Sequence, residues 1–199
     1  MRLRDRLNLD SAEAIGHVIG MIAVFVGVAG LIISIALATE FSIQQNALSD
    51  LGDPARDLAY LFNGTAIVTG LLAAIFFAIL TRRLENQYQR IGMAVMVVAS
   101  ISLAGVGVFS IGHVLHVLFA VGFFLGLTLG ILITGIGDRQ SGRPRRAMVA
   151  FNLVVLHLLA WGFGYLTLEG VALPETVGAL IFGIWILLLV IQRGRDLPP

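Results

Sequence analysis

The chain contains no cysteine and no lysine, and all 13 of its basic residues are arginine. Without cysteine it has neither a disulfide framework nor a thiolate metal ligand. Charged residues make up only 13% of the 199 positions, too few to cover a soluble domain of that size with solvated side chains. A soluble cytoplasmic enzyme is therefore excluded. The shortage of charge also excludes a disordered chain, and the 23 glycines follow no three-residue period, which excludes a collagen-like one. No Walker loop, dinucleotide fingerprint, HExxH pattern or nucleophile elbow occurs. No basic run has the length or aromatic interleaving of a nucleic-acid surface, so no nucleic-acid partner is expected.

What the chain has in abundance is apolar surface: 58% of its residues are hydrophobic, and its mean hydropathy is +0.94. A helix rising 1.5 Å per residue needs about 20 apolar residues to cross a hydrocarbon core about 30 Å thick. Six such stretches occur, at residues 15–38, 58–80, 91–112, 117–137, 147–168 and 176–191. Their apolar content is continuous, which favours helices over the alternating strands of a transmembrane barrel. The expected fold is all-α: one polytopic membrane domain, residues 1–199, with six transmembrane helices.

Arginine sets the expected orientation, because basic residues flanking the spans stay on the cytoplasmic side. Twelve of the 13 arginines fall before span one, between spans two and three, between spans four and five, or after span six. Arg56 alone lies on the other side, whereas the 12 acids divide evenly between the two. Both termini are thus expected in the cytoplasm of a multi-pass cell-membrane protein. The basic inner rim can also attract anionic lipid headgroups, so membrane lipids are expected partners.

The N-terminus resembles a signal peptide in its arginine-rich start and in the small residues Ala36 and Ala38 before Thr39. Its apolar run exceeds the usual length of a signal core, and Asp10 and Glu13 are unusual in a leader. We therefore expect a retained helix, with Asp10 and Glu13 as a capping pair at its start and Glu13 paired with His17 at the inner boundary.

The longest connection, residues 39–57, lies on the outer side and is the expected binding surface. Within it, Asp53-Pro54 reads as an N-cap followed by proline at the first helical position of span two. Gly122, Gly126, Gly130 and Thr134 recur every fourth residue on span four, and a second small-residue stripe runs from Gly16 through Gly20, Ala23, Gly27 and Gly30 to Ser34 on span one. Such stripes permit close helix packing within a subunit, or the formation of a homo-oligomer.

Few residues can carry chemistry. His113 and His116 share a helical face at the outer end of span four, at the membrane level of Glu40, Asp50, Asp53, Asp57 and Glu175. A helix N-terminus disfavours imidazolium, so a histidine there can act as a base or metal ligand. Asp50 with His116 is the candidate catalytic pair, although a hydrogen-bonded latch tying the outer loop to the exit of the third hairpin half is the favoured reading of the two. Asn63 and Asn152 lie within spans, where amides are expected to bond between helices, and His157 is expected to make a structural hydrogen bond, with a proton relay as its alternative role. Asp53, Asp57, Asn63, His113 and His157 complete the candidate ligand site or polar path. The pattern specifies neither a metal nor another cofactor; a haem would need an axial ligand opposite His157, and no second histidine lies at that depth.

Several segments together resemble a bacterial and archaeal membrane family catalogued as domain of unknown function 998. They are Ser49-Asp50-Leu51-Gly52, then Pro54 with Leu61-Phe62-Asn63 and Gly70-Leu71, Gly105 to Phe109 followed by His116, and Gly170 to Glu175 with Trp185. Where that family often continues from the phenylalanine with proline and an acid, this chain has Ser110-Ile111-Gly112. The resemblance implies a six-helix bundle, directs attention to Asp50, Asn63 and His116, and implies no activity.

Three functions are compatible with these residues. The leading expectation is a noncatalytic membrane protein that binds lipid, a small ligand or a protein partner at its outer face. The alternatives are an intramembrane hydrolase or lipid-modifying enzyme using His113 or His116 with Asp50, Asp53 or Asp57, and a small-molecule or proton-coupled transporter using Asn63 and His157. A compact His/carboxylate cluster favours the enzyme, and a polar cavity reaching mid-membrane favours transport.

Overall fold

The computed structural model describes residues 3–194, with the side chains of Ala12 and of residues 14–191. Six α-helices follow one another: α1 Leu3–Leu37, α2 Ala59–Thr81, α3 Gln87–Val108, α4 His116–Gln140, α5 Pro144–Thr167 and α6 Ala172–Gly194. A short 3₁₀ helix, Leu48–Gly52, sits in the long connection after α1. All six α-helices contain a segment long and apolar enough to cross a membrane, and no strand occurs among the described residues. The chain is an all-α integral membrane protein with six membrane-spanning helices.

Each helix packs on the next in sequence, and α1 also packs on α6, so the helices form a closed up-and-down ring. The centre is filled by Phe76, Phe77, Met96, Phe123, Leu127 and Phe182 among others. Phe182 holds three helices together, with its ring edge-on to Phe123 at 5.3 Å and tilted against Phe77 at 6.1 Å. Lipid supplies no hydrophobic drive between helices, so close backbone approach must supply dispersion contacts instead. Both small-residue stripes are used for this, inside the subunit. A Cβ on Gly126 of α4 would stand 2.8 Å from that of Ala99 on α3, and one on Gly20 of α1 would stand 2.9 Å from the Phe76 ring of α2.

The helix ends follow local chemistry. Asn86 caps α3 by accepting the Gln89 N–H at 3.1 Å, and Pro144 opens α5. Gly142, at φ +72°, ends α4 in the left-handed conformation. The amides of Gly142 and Arg143 then return to the Arg139 and Asp138 carbonyls at 3.2 and 2.9 Å, a Schellman closure that needs glycine at this position. Nearby, Gln89 Nε2 donates to the buried Asp138 carboxylate at 2.6 Å, tying α3 to α4 at the arginine-rich end.

Four local expectations change. Asp53 does not cap α2: its Oδ1 accepts the Ala55 N–H at 2.9 Å, and two successive turns delay the helix until Ala59. Span three stops at Val108, short of residue 112, because the 109–115 connection turns through Gly112 at φ +89°. Span six begins at Ala172, a full turn before residue 176, which places Glu175 inside the helix. Finally, α1 begins at Leu3, so Asp10 and Glu13 lie within the helix and do not start it; the Glu13–His17 pairing lies outside the described residues.

Candidate functional site

The long connection folds back over the end of the bundle opposite the arginine-rich turns. Asp50 organises it: one carboxylate oxygen, Oδ2, accepts the Ala47 N–H and the Asn46 side-chain amide, both at 2.9 Å. Asn46 Oδ1 accepts the Ser42 N–H at 2.8 Å, and Asn63 of α2 donates to the Gly52 carbonyl at 2.9 Å. These bonds hold the 3₁₀ helix in one orientation. Its far side is clipped to the α5–α6 connection, where Gly170 N–H donates to the Gln44 carbonyl and Ala172 N–H to that of Asn46, at 2.9 and 2.8 Å.

Glu175 completes the clip from the first turn of α6. Its side chain is buried, and it accepts the Leu48 N–H at 2.5 Å and a second backbone hydrogen bond from Ser49. A buried carboxylate is tolerated only where hydrogen bonds replace its lost hydration, and the backbone amides at the start of the 3₁₀ helix provide them. The sequence grouped Glu175 with five other outer acids. The distinguishing signal is that it precedes an uninterrupted apolar run by less than one turn, so a slightly earlier helix start brings it inside.

Beneath the clip lies a cavity of about 230 Å³, bounded by α1, α2, α4 and α6, with contributions from α3 and the 3₁₀ helix. Its wall is overwhelmingly apolar, with Phe62, Phe123, Phe124 and Ile186 among the larger side chains. Glu175 and Ser49 lie at its loop end, and Thr65 and Thr69 line α2. Three lining residues, Val28, Ile32 and Leu180, are also exposed, and they belong only to α1 and α6. The opening therefore faces sideways between those helices, toward lipid.

The other candidate residues divide into separate local structures. His116 is buried, and its Nδ1–H donates to the Phe109 carbonyl at 2.7 Å, closing the end of α3. The acceptor is a carbonyl, so the proton must be on Nδ1. His113 is exposed; its Nδ1 accepts the Leu115 N–H at 3.1 Å, and its ring lies 4.8 Å from that of Phe109. Asp53 forms the turn already described, and Asp57 is exposed in the turn that follows. The hydrogen bonds of Asp50 and His116 thus go to different neighbours, and a double-mutant cycle of Asp50→Asn and His116→Gln is expected to show less than about 0.5 kcal/mol of coupling in thermal unfolding. Coupling well above that would require direct contact.

His157 joins a different network, between α4 and α5. Trp161 Nε1–H donates to its Nε2 at 3.0 Å, and its Nδ1 lies 2.9 Å from Thr128 Oγ1, which bonds in turn to the Phe124 carbonyl at 2.9 Å. An indole N–H can only donate, so Nε2 must hold a lone pair and the ring is the neutral Nδ1–H tautomer. Both nitrogens are used. Taking up a proton at Nε2 would break the Trp161 bond, and a ligated metal would displace it. The Trp161 N–H thus fixes the orientation of this histidine. Among the described residues, no three His, Asp or Glu side chains group closely enough to hold a metal ion.

The model of a family described as a protein of unknown function, DUF998, matches residues 21–192. The chain belongs to the DUF998 family. No curated protein and no solved structure matches it. The DUF998 match spans all the parts of the site: the clip, the cavity, the His116 cap and the His157 network.

Proposed function

We propose that this DUF998 protein is a noncatalytic cell-membrane protein that binds a lipid or lipid-like amphiphile. The hydrocarbon part occupies the cavity between α1, α2, α4 and α6, and the polar end lies beside Glu175 under the outer loop. The arginine-rich end and both termini face the cytoplasm. The observation that carries this reading is the cavity itself: about 230 Å³ of apolar space, open to lipid on one side and bounded at one end by a single buried carboxylate. It exceeds the roughly 150 Å³ at which an apolar protein cavity already accepts a benzene-sized guest. A carboxylate at the loop end of the cavity repels anionic headgroups and accepts from a hydroxyl or an ammonium. The expected class is therefore an amphiphile with an uncharged or cationic headgroup.

The same geometry disfavours the two alternatives. An apolar wall offers a hydrated solute no replacement for its water, and the candidate relay His157 has both nitrogens bonded. The candidate catalytic side chains Asp50 and His116 each serve backbone groups.

Gly183 provides the test. A Cβ there would meet only Val24 Cγ1, at 3.7 Å, so Gly183→Leu fits the backbone and fills the cavity. Native mass spectrometry of the wild-type chain in mild detergent is expected to show retained lipid with an uncharged or cationic headgroup. The Gly183→Leu chain should lose it while unfolding at an unchanged temperature. Identical lipid retention by both chains would show that the cavity is not the binding site.

A further inference from the structure

α5 buries Ala147, Ala150, Val154, His157 and Gly164 against the bundle. Its opposite side carries Met148, Asn152, Val155, Leu159, Gly162 and Leu166, every one of them exposed. These positions alternate spacings of four and three residues, the pattern of a seam that faces a second helix along its whole length. Five of the six are ordinary lipid-facing residues. Asn152 is not. It lies eight residues past Pro144, roughly 12 Å along the helix axis, too deep for a short amide side chain to reach the headgroups. Its side chain has no hydrogen-bond partner among the described residues. An amide left bare in hydrocarbon is strongly unfavourable, and the rotation that buries His157 turns Asn152 away from every other helix of its own chain.

We propose that a second copy of this chain covers the seam, forming a parallel homodimer through α5 in which the two Asn152 amides hydrogen-bond to each other. Three features select a second copy over a different protein. The amide carries both a donor and an acceptor, so it is complementary to itself across a two-fold axis. Copies inserted with the same topology present α5 in the same direction, which brings equivalent residues opposite one another. A lone asparagine in such a seam sets register and pairing in parallel helix dimers. Gly162 lies on the same seam with nothing within 4 Å of where its Cβ would be, leaving room for two backbones to approach.

The absence of cysteine makes the native chain a clean background for crosslinking. In vesicles, full-length Val155→Cys and Leu159→Cys are expected to form disulfide-linked dimers on oxidation. Leu158→Cys, to one side of the seam, and Phe25→Cys, on α1, should remain monomeric. Energy transfer between labelled copies should show association weakened roughly 3- to 20-fold by Asn152→Leu and largely retained by Asn152→Gln. The proposal is overturned by single molecules at every protein-to-lipid ratio, by equal crosslinking at Phe25→Cys, or by unaltered association of Asn152→Leu. Capture of a different membrane protein from Leu159 in cells, without self-crosslinking, overturns it equally.

Discussion

Gly70→Leu is expected to eliminate the folded protein. A Cβ at position 70 of α2 would lie 2.5 Å from the Ser100 carbonyl oxygen and 2.6 Å from the Ala104 amide nitrogen of α3. Both are backbone atoms inside a helix, so no rotamer change relieves the overlap; the two helices must separate. Separation removes the dispersion contacts that hold them together in lipid, where no hydrophobic drive compensates. Overpacking a core by a few methylenes costs about 1–3 kcal/mol even where neighbours can shift, and here they cannot, so a loss of 3 kcal/mol or more is expected. Fluorescence-detected size exclusion in detergent should show little or no monodisperse Gly70→Leu protein. Gly64→Ala is the control, because nothing lies within 4 Å of its Cβ position; it should keep the wild-type profile or gain up to about 1 kcal/mol from better helix propensity. A stable Gly70→Leu protein would show that α2 and α3 are further apart than described.

Glu175→Leu is expected to free the long α1–α2 connection while leaving the helical core intact. The substitution leaves the Leu48 and Ser49 amides, both on buried residues, without an acceptor, at about 1–3 kcal/mol each. Removing the buried acid returns part of this by eliminating its desolvation cost, so a net local loss of about 2 kcal/mol is expected. Hydrogen exchange at residues 44–52 should accelerate roughly thirtyfold, with α3 and α4 unchanged. Glu175→Gln keeps one acceptor oxygen and should show a smaller acceleration. Unaltered loop exchange in Glu175→Leu would mean that the two backbone bonds from Gly170 and Ala172 are sufficient to hold the clip. Because Glu175 also bounds the cavity, the loop and the proposed ligand are coupled: a ligand that bonds to the free lone pairs of the carboxylate should slow exchange at Leu48 and Ser49.

The candidate site was only partly legible in one dimension. Asn63 and Asp50 stand out as polar residues near a membrane end, and both organise the long α1–α2 connection. Glu175 carries the same charge as five other acids at the same end of the bundle, and only the start of α6 at Ala172 separates it from them. His116 and His157 look alike in sequence as histidines within or beside apolar runs. One closes a helix end through the Phe109 carbonyl and the other lies between an indole and a threonine. Which hydrogen bonds form depends on the azimuth of each helix, and composition carries no information about azimuth when almost every residue is apolar.

The solvent, the number of crossings and their places along the chain are all written in the sequence. Each rests on a one-dimensional sum: burial of apolar length against the hydrocarbon thickness, for which only the local run matters. Span limits agree with the helices to within about four residues, and they depart where a turn or cap intervenes, as at Phe109 and Pro174. The tertiary structure alone decided which side of each helix meets protein. In water, hydrophobicity would mark that side, but in a bilayer the lipid-facing and protein-facing residues are equally apolar, and the discriminating force is close fit. That is why the Gly126 stripe packs inside the subunit while the Asn152 side of α5 faces out, and why the cavity, made by a mismatch of fit among four helices, has no signature in the chain.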